Sequence, residues 1–365
     1  MVSVIFTLDY EIHGNGEGCP RELMVEPTNR LLRLFDRFGA RLTIMADIAE
    51  ILKFKEYGMK RGRDDYHYHD IVAQLQRAVR GGHDVQLHIH SSYFNATHQG
   101  GRWAQDWSEY NFAGLDANRM DEMIKAGKEF LESVIRPARP GYRCNVFRAA
   151  NWSVSPSGNV VRALVKNDID IDTSVFKFGR REGLVNFDYG EAASEMLPWR
   201  ADGEAIWRQS AEGRLWEVPI YSENRWLGAF LSANRIYRFV AGRFHRVPGQ
   251  PAASNGGPGQ GAGRAPRKRW GNLLAKRHAW KADFNQCTGR QLIRALTRGA
   301  ARHADAAATV PFVLIGHSKL FTSWNERSLR PFLAYVAANN ARYSFGTFES
   351  LDLSPARSGT RLVFS

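Results

Sequence analysis

Five apolar runs in this chain end in groups that can do acid–base or metal chemistry. VSVIFTL, residues 2–8, runs into Asp9 and Glu11. DVQLHIH, 84–90, carries His88 and His90, with Gln86 before them. NVFRAA leads from Arg148 to Asn151 and Trp152, IDTSVF carries Asp172, and VPFVLIGH ends in His317. Burial favours Val or Leu at such ends, so polar groups repeated there point to a site. Residues i and i+2 of a strand face the same side. His88 and His90 therefore share a face, and so do Asp9 and Glu11. Two imidazoles with one carboxylate form an open coordination set for a divalent ion that keeps a water, and Zn²⁺ suits it best. One carboxylate ligates and the other takes a proton. The residues alone leave open which does which, and a hydrogen-bonded His pair without metal is the plain alternative.

These groups need a scaffold that gathers strand ends. The first hundred residues alternate strand and helix: VSVIFTL, TNRLLRLFDRF after a capping Thr28, RLTIMAD, DIAEILKFKEY, DIVAQLQRAVRGG, HDVQLHIH. The alternation continues through MDEMIKAGKEFLESVI, NVFRAA, GNVVRALVKNDI, IDTSVF, LWEVPI, GRQLIRALTRGAARHA, PFVLIGH, LRPFLAYVAANN and ARYSFGTFESL. Strands separated by amphipathic helices give parallel pairing with crossovers. The expected fold class is α/β, a distorted or incomplete (β/α) barrel of parallel strands. An open doubly wound sheet is the alternative. In both, reactive groups gather at the C-terminal strand ends. GNGEG after the first strand matches neither GxGxxG nor GxxxxGK[ST], so it reads as a tight turn beside a polar site rather than a phosphate cradle.

The whole chain, 1–365, reads as one catalytic domain, with one segment that breaks the pattern. VPGQPAASNGGPGQGAGRAPRKRW, 247–270, is a Gly/Pro-rich basic stretch without apolar periodicity, expected to be a flexible insertion loop. Its flanks, IYRFVAGRFHRV and KRWGNLLAKRHAW, are basic, aromatic and expected to be helical. The formal net charge of +13 favours anionic partners. The basic segment 264–281 suits an anionic membrane surface, and no nucleic-acid motif accompanies it. Three scattered cysteines without a CxxC exclude a disulfide framework and fit a reducing compartment. Strand-like sequence begins at Val2 with no basic and apolar leader ahead of it, so the expected location is cytoplasmic, with peripheral contact at the inner membrane surface. Trp103, Trp107, Trp152 and Trp199 are candidates for stacking on sugar rings, with core packing as their other reading.

Four motifs in order, TLDYE (7–11), GHDVQLHIH (82–90), FRAANWS (147–153) and VLIGHSK (313–319), resemble the polysaccharide deacetylase superfamily, the NodB-like carbohydrate esterases. The resemblance spans nearly the whole chain and looks nearest to the intracellular branch found with surface-polysaccharide biosynthesis. It implies a distorted (β/α) barrel and a single divalent metal. It also implies hydrolysis of an N-acetyl or related acyl group on a sugar, here a nucleotide- or lipid-linked glycan precursor. By position, Asp9 matches the general base, Glu11 the metal carboxylate, His88 the first metal histidine, Arg148 the arginine that orients the base, and His317 the general acid. Asn151, Trp152, Asp172 and Trp103 are expected at the substrate. Three positions depart from the pattern. Asp-Tyr-Glu replaces an adjacent Asp pair, the second histidine position holds Ser92 so that His90 must substitute, and the arginine motif reads RAANW. The same site could instead serve a non-sugar amide, or the chain could be a non-catalytic binding or scaffold member.

Overall fold

A computed structural model of the chain describes residues 1–237 and 277–353. The segment 247–270 lies outside the described residues.

The centre is β1, Val2–Tyr10, buried along its whole length. A strand covered on both faces can be apolar throughout, which is why VSVIFTL does not alternate. The first half of β1 pairs with β15, Tyr343–Gly346, and the second half with β2, Leu42–Asp47. Its other edge carries β14, Val310–His317. From β2 the sheet runs through β3 (Asp84–Ile89), β6 (Val146–Ala149), β7 (Ile171–Asp172) and β11 (Trp216–Glu217), all parallel. The short β10, Trp199–Arg200, adds an antiparallel edge.

The sheet curls until its ends meet. Val218 N donates to Asp172 O at 2.9 Å and Ile220 N to Val175 O at 2.9 Å, and then Tyr221 N donates to Val313 O at 3.0 Å. The seam between β11 and β14 is thus closed by single bridges, Ile220 with Val313 and Asp283 with Ile315, rather than by a full ladder. This is the distorted (β/α) barrel expected from the alternation, not an open sheet.

The crossover helices are α1 (Glu26–Asp36), α2 (Ile48–Arg61), α3 (Tyr68–Arg80), α4 (Ala117–Ile135), α5 (Gly158–Lys166), α6 (Gly289–Arg302) and α7 (Ser323–Ala338). Their starts are chemically fixed. Asp116 accepts from Asn118 N and Arg119 N at 3.0 Å each, and Thr288 and Thr322 form capping boxes with Gln291 and Asn325. Thr28 does not cap. It is buried inside α1, which starts at Glu26 with Pro27 in its first turn.

The strands' period of two layers the barrel interior. Ile5, Val146, Ile171, Val218, Val313 and Phe348 form an apolar floor. Two residues further along, Thr7, Arg148 and Thr173 form a hydrogen-bonded layer. Two further still, β1 delivers Asp9 opposite His317, the end of β14.

Three small pairings lie outside the alternation: β4 (Thr97–Gln99) with β5 (Arg102–Ala104), β8 (Arg180–Arg181) with β9 (Phe187–Asp188), and β12 (Ser222–Arg225) with β13 (His278–Lys281). The last corrects part of one expectation: 278–281 is a strand, not a helix, because it pairs antiparallel with β12.

Candidate active site

Arg148 is the deepest charged group of the site and has no exposure. Its Nε donates to Thr173 O at 3.0 Å, and Nη1 donates to Thr7 Oγ1 at 2.7 Å and to Asp9 Oδ1 at 2.8 Å. Burial alone would raise the Asp9 carboxyl. Arg148, then His88 and His317, outweigh it, so its pKa lies below the ordinary value. Asp9 Oδ2 is left facing His317 Nε2 at 3.6 Å. Asn285 fixes the His317 backbone by accepting its N–H at 2.6 Å. Burial lowers the His317 pKa against the pull of Asp9, so the imidazole is neutral near neutral pH.

Two residues along β1's line, Glu11 Oε2 faces both imidazoles, at 3.3 Å from His88 Nε2 and 3.1 Å from His90 Nδ1. His88 Nδ1 lies 2.9 Å from Arg148 O. A carbonyl only accepts, so Nδ1 carries the hydrogen and Nε2 is the atom turned to Glu11. His90 Nδ1 also contacts Asp47 Oδ2 at 2.6 Å. Burial lowers the His90 pKa, but Glu11 and Asp47 raise it further, to about 9. Lys319 Nζ donates to Glu11 Oε1 at 2.7 Å and to Ile12 O at 2.7 Å. Burial acts upward on Glu11, yet Lys319 and the two histidines hold it well below the usual carboxylate range.

This donor set fits a divalent ion. One ligand atom each from Glu11, His88 and His90 lie within 4.8 Å of one another, and the same holds for Asp47, Glu50 and His90. The His88 arrangement, with Nδ1 held by a backbone carbonyl, is how ligating histidines are oriented. Ser92, four residues after His88, is buried and donates to Gln105 Oε1 at 2.8 Å.

The structure therefore brings Asp9, Glu11, His88, His90, Arg148 and His317 together. Trp152 joins their edge, its ring centroid 6.2 Å from that of His317. Asn151 lies beside it and accepts from Arg181 Nη1 at 2.9 Å. Two expected substrate residues are elsewhere. Asp172 is fully buried and accepts from Ser174 Oγ at 2.8 Å, and burial pushes its carboxyl and that of neighbouring Glu217 upward. It projects to the opposite side of β7 from Thr173, which bonds Arg148. Trp103 is buried on β5 among Phe54, Tyr57, Tyr66 and His98, so its ring packs core. Trp199 is likewise buried, its Nε1 donating to Ile206 O at 2.9 Å, and Trp107 leans on Tyr110 at 5.0 Å.

The sequence reading missed Asp47, Glu50, Lys319 and Lys281. Asp47 had a usable signal, since RLTIMAD is an apolar run ending in an acid, as VIFTLD is.

No family model and no curated protein matches this chain. Solved structures do. A GH57-type branching enzyme from Pyrococcus horikoshii superposes with a TM-score of 0.50 at 12% identity, covering 95% of this chain and 69% of that one. A protein named as a polysaccharide deacetylase from Mycobacterium smegmatis gives 0.48 at 14% identity, covering 95% and 87%. A family 4 carbohydrate esterase from Streptomyces lividans gives 0.38 at 10% identity, covering 94% and 92%. At 12% identity the first of these likenesses speaks for the fold alone.

Proposed function

We propose that this protein is a metal-dependent hydrolase that removes an N-acetyl or related acyl group from a sugar, of the polysaccharide deacetylase type. Its substrate on this reading is a nucleotide- or lipid-linked glycan precursor. The observation that carries the reading is one strand presenting two carboxylates with different partners: Asp9 locked to Arg148 at 2.8 Å, and Glu11 facing His88 and His90.

Glu11, His88 and His90 would hold the ion, with Zn²⁺ the best match to a mixed imidazole and carboxylate set. When bound, such an ion polarises an acyl carbonyl and acidifies a water. Arg148 occupies Asp9 Oδ1 and keeps the carboxyl ionised, so Oδ2 is the oxygen free to take the water's proton. His317 Nε2, 3.6 Å from that oxygen, can accept the proton and pass it to the departing nitrogen. A neutral His317 suits this relay, because it need not start protonated. The products are a carboxylate and a free amino sugar. The net charge of +13 suits a phosphate-bearing precursor or an anionic membrane surface. No helix among the described residues is long and apolar enough to cross a membrane.

A second reading has an observation of its own. Lys319 and a protonated His90 already neutralise Glu11, as in a family member that binds glycan without catalysis. Elemental analysis separates the two. Wild-type protein should carry near-stoichiometric metal, and Glu11→Ala, His88→Ala and His90→Ala should lose it while staying folded. Acetate release from acetylated amino sugars should follow the metal. Folded wild-type protein that takes up no Zn²⁺ would leave the binding reading standing.

A further inference from the structure

Lys281, the last residue of β13, has no role in the chemistry above, yet it borders it. Its Nζ lies 3.1 Å from the centroid of the Trp152 ring and 4.4 Å from that of Phe176. Among the described residues it makes no ion pair. The nearest acid in sequence, Asp283, is engaged by Asn285 N at 2.8 Å, Gln286 N at 3.2 Å and the Gln286 side chain. Asp9 is held by Arg148. Arg181 is a second cation of the same kind. Its neighbour Arg180 pairs with Asp188, but Arg181 makes no ion pair among the described residues and donates to Asn151 Oδ1 at 2.9 Å. Asn151 and Trp152, which touch the two cations, have φ of 57° and 58°. Two consecutive non-glycine residues in the left-handed region are strained, and such strain collects at ligand clamps. All four side chains are partly exposed, and Trp152 links them to the candidate site through its ring contact with His317. Burial, with Arg148 and Arg181 adding to it, presses the Lys281 amine down to about 7 against the pull of Asp283 and Asp9. Two neighbouring cations with no acid at ion-pair distance among the described residues are relieved by an incoming anion.

We propose that Lys281 and Arg181, held by Trp152 and Asn151, form a subsite for an anionic oxygen group, phosphate or carboxylate, carried by the substrate near its acylamino group. This rests on the deacylase reading and narrows its substrate. It also reassigns Trp152: one face of its ring is occupied by Lys281, so it orients a cation rather than offering that face to a sugar.

The test is calorimetric titration of the Zn²⁺-loaded full chain with four probes: N-acetylglucosamine, its 1-phosphate, its uronic acid, and inorganic phosphate alone. Wild type is compared with Lys281→Met and Arg181→Gln, with metal content measured on each. Any phosphate bound by the metal is common to all three proteins and cancels. The expected result is about tenfold tighter binding of one anionic sugar than of the neutral one, as a charge-assisted contact supplies. That preference should collapse in both variants at unchanged metal content. The probe that gains names the anion. Equal binding of charged and neutral sugars by wild type, or a preference that survives both substitutions, overturns the subsite. A preference that depends on Lys281 in a protein that neither holds Zn²⁺ nor releases acetate keeps the subsite and removes the deacylase reading.

Discussion

Arg148→Met tests the electrostatics on which the proposed base depends. The substitution roughly keeps side-chain length and removes the guanidinium. Thr7 Oγ1, Asp9 Oδ1 and Thr173 O then lose donors at 2.7, 2.8 and 3.0 Å. Arg148 has no side-chain exposure and Asp9 has 4%, so water cannot replace the lost partner cheaply. Breaking a buried pair of this kind costs ~3–5 kcal/mol, mostly from the charge left behind. The pH dependence follows from the sign of the shift. In the wild type the Asp9 carboxyl is depressed, so it contributes stability above its unfolded value of 3.8 that is lost as pH falls through the folded value. In the variant burial, the largest influence, is opposed only by the histidines, and the carboxyl moves upward. An ionised Asp9 then destabilises the fold, and the penalty fades as acid neutralises it. Urea unfolding should therefore show a wide gap between wild type and variant at about pH 8 and a narrower one at about pH 5. Adding Asp9→Asn to Arg148→Met should recover stability relative to Arg148→Met alone. A gap below ~1 kcal/mol, or one that does not change with pH, would refute this account of the pair.

Two further predictions concern residues outside the proposed chemistry or behind it. Asp84 has Oδ2 buried without a hydrogen-bond partner among the described residues, and burial pushes its carboxyl from the usual 3.8 to about 7. A raised acid costs stability as pH climbs past its unfolded value, so Asp84→Asn should gain as much as ~4 kcal/mol at about pH 8 and nothing at about pH 4 in urea unfolding. Asp47 accepts from Ala49 N and His90 N at 3.2 Å each and contacts His90 Nδ1 at 2.6 Å. Asp47→Ala should cost ~1–2 kcal/mol as a lost helix cap and weaken Zn²⁺ binding about tenfold by freeing the His90 ring, measured by chelator competition.

The barrel was legible because its strands are buried on both faces and its helices on one, so period and apolar continuity both show in the chain. The site was legible for the same reason: a polar residue ending a buried run is out of place unless something uses it. What that rule lacks is parity. Asp172 and Thr173 are adjacent on the segment that follows Ile171, and only Thr173 faces inward to Arg148. The register that decides this is set by β6, twenty-odd residues away in sequence, with Phe147 opposite Asp172. Trp103 fails differently. Its burial is created by aromatic residues at 54–66 that reach it only through the fold. Asp47 also ends an apolar run, but an acid before a helix has capping as an explanation of its own. It does cap, and its second oxygen meets His90 as well.

The two acids of β1 can also be told apart, which their spacing could not do. Asp9 is neutralised by a guanidinium that has no exposure and spends its remaining donors on Thr7 and Thr173. That counter-charge cannot leave without dismantling a buried layer of the barrel. Glu11 is neutralised by Lys319 and His90, both partly exposed, with side-chain exposures of 14% and 16%. Lys319 can swing to solvent on its flexible stem, and His90 can give up a proton. A carboxylate with displaceable counter-charges can accept a metal ion in their place, and one with a fixed counter-charge can only exchange a proton. On that ground we propose that Glu11 is the ligand and Asp9 the base.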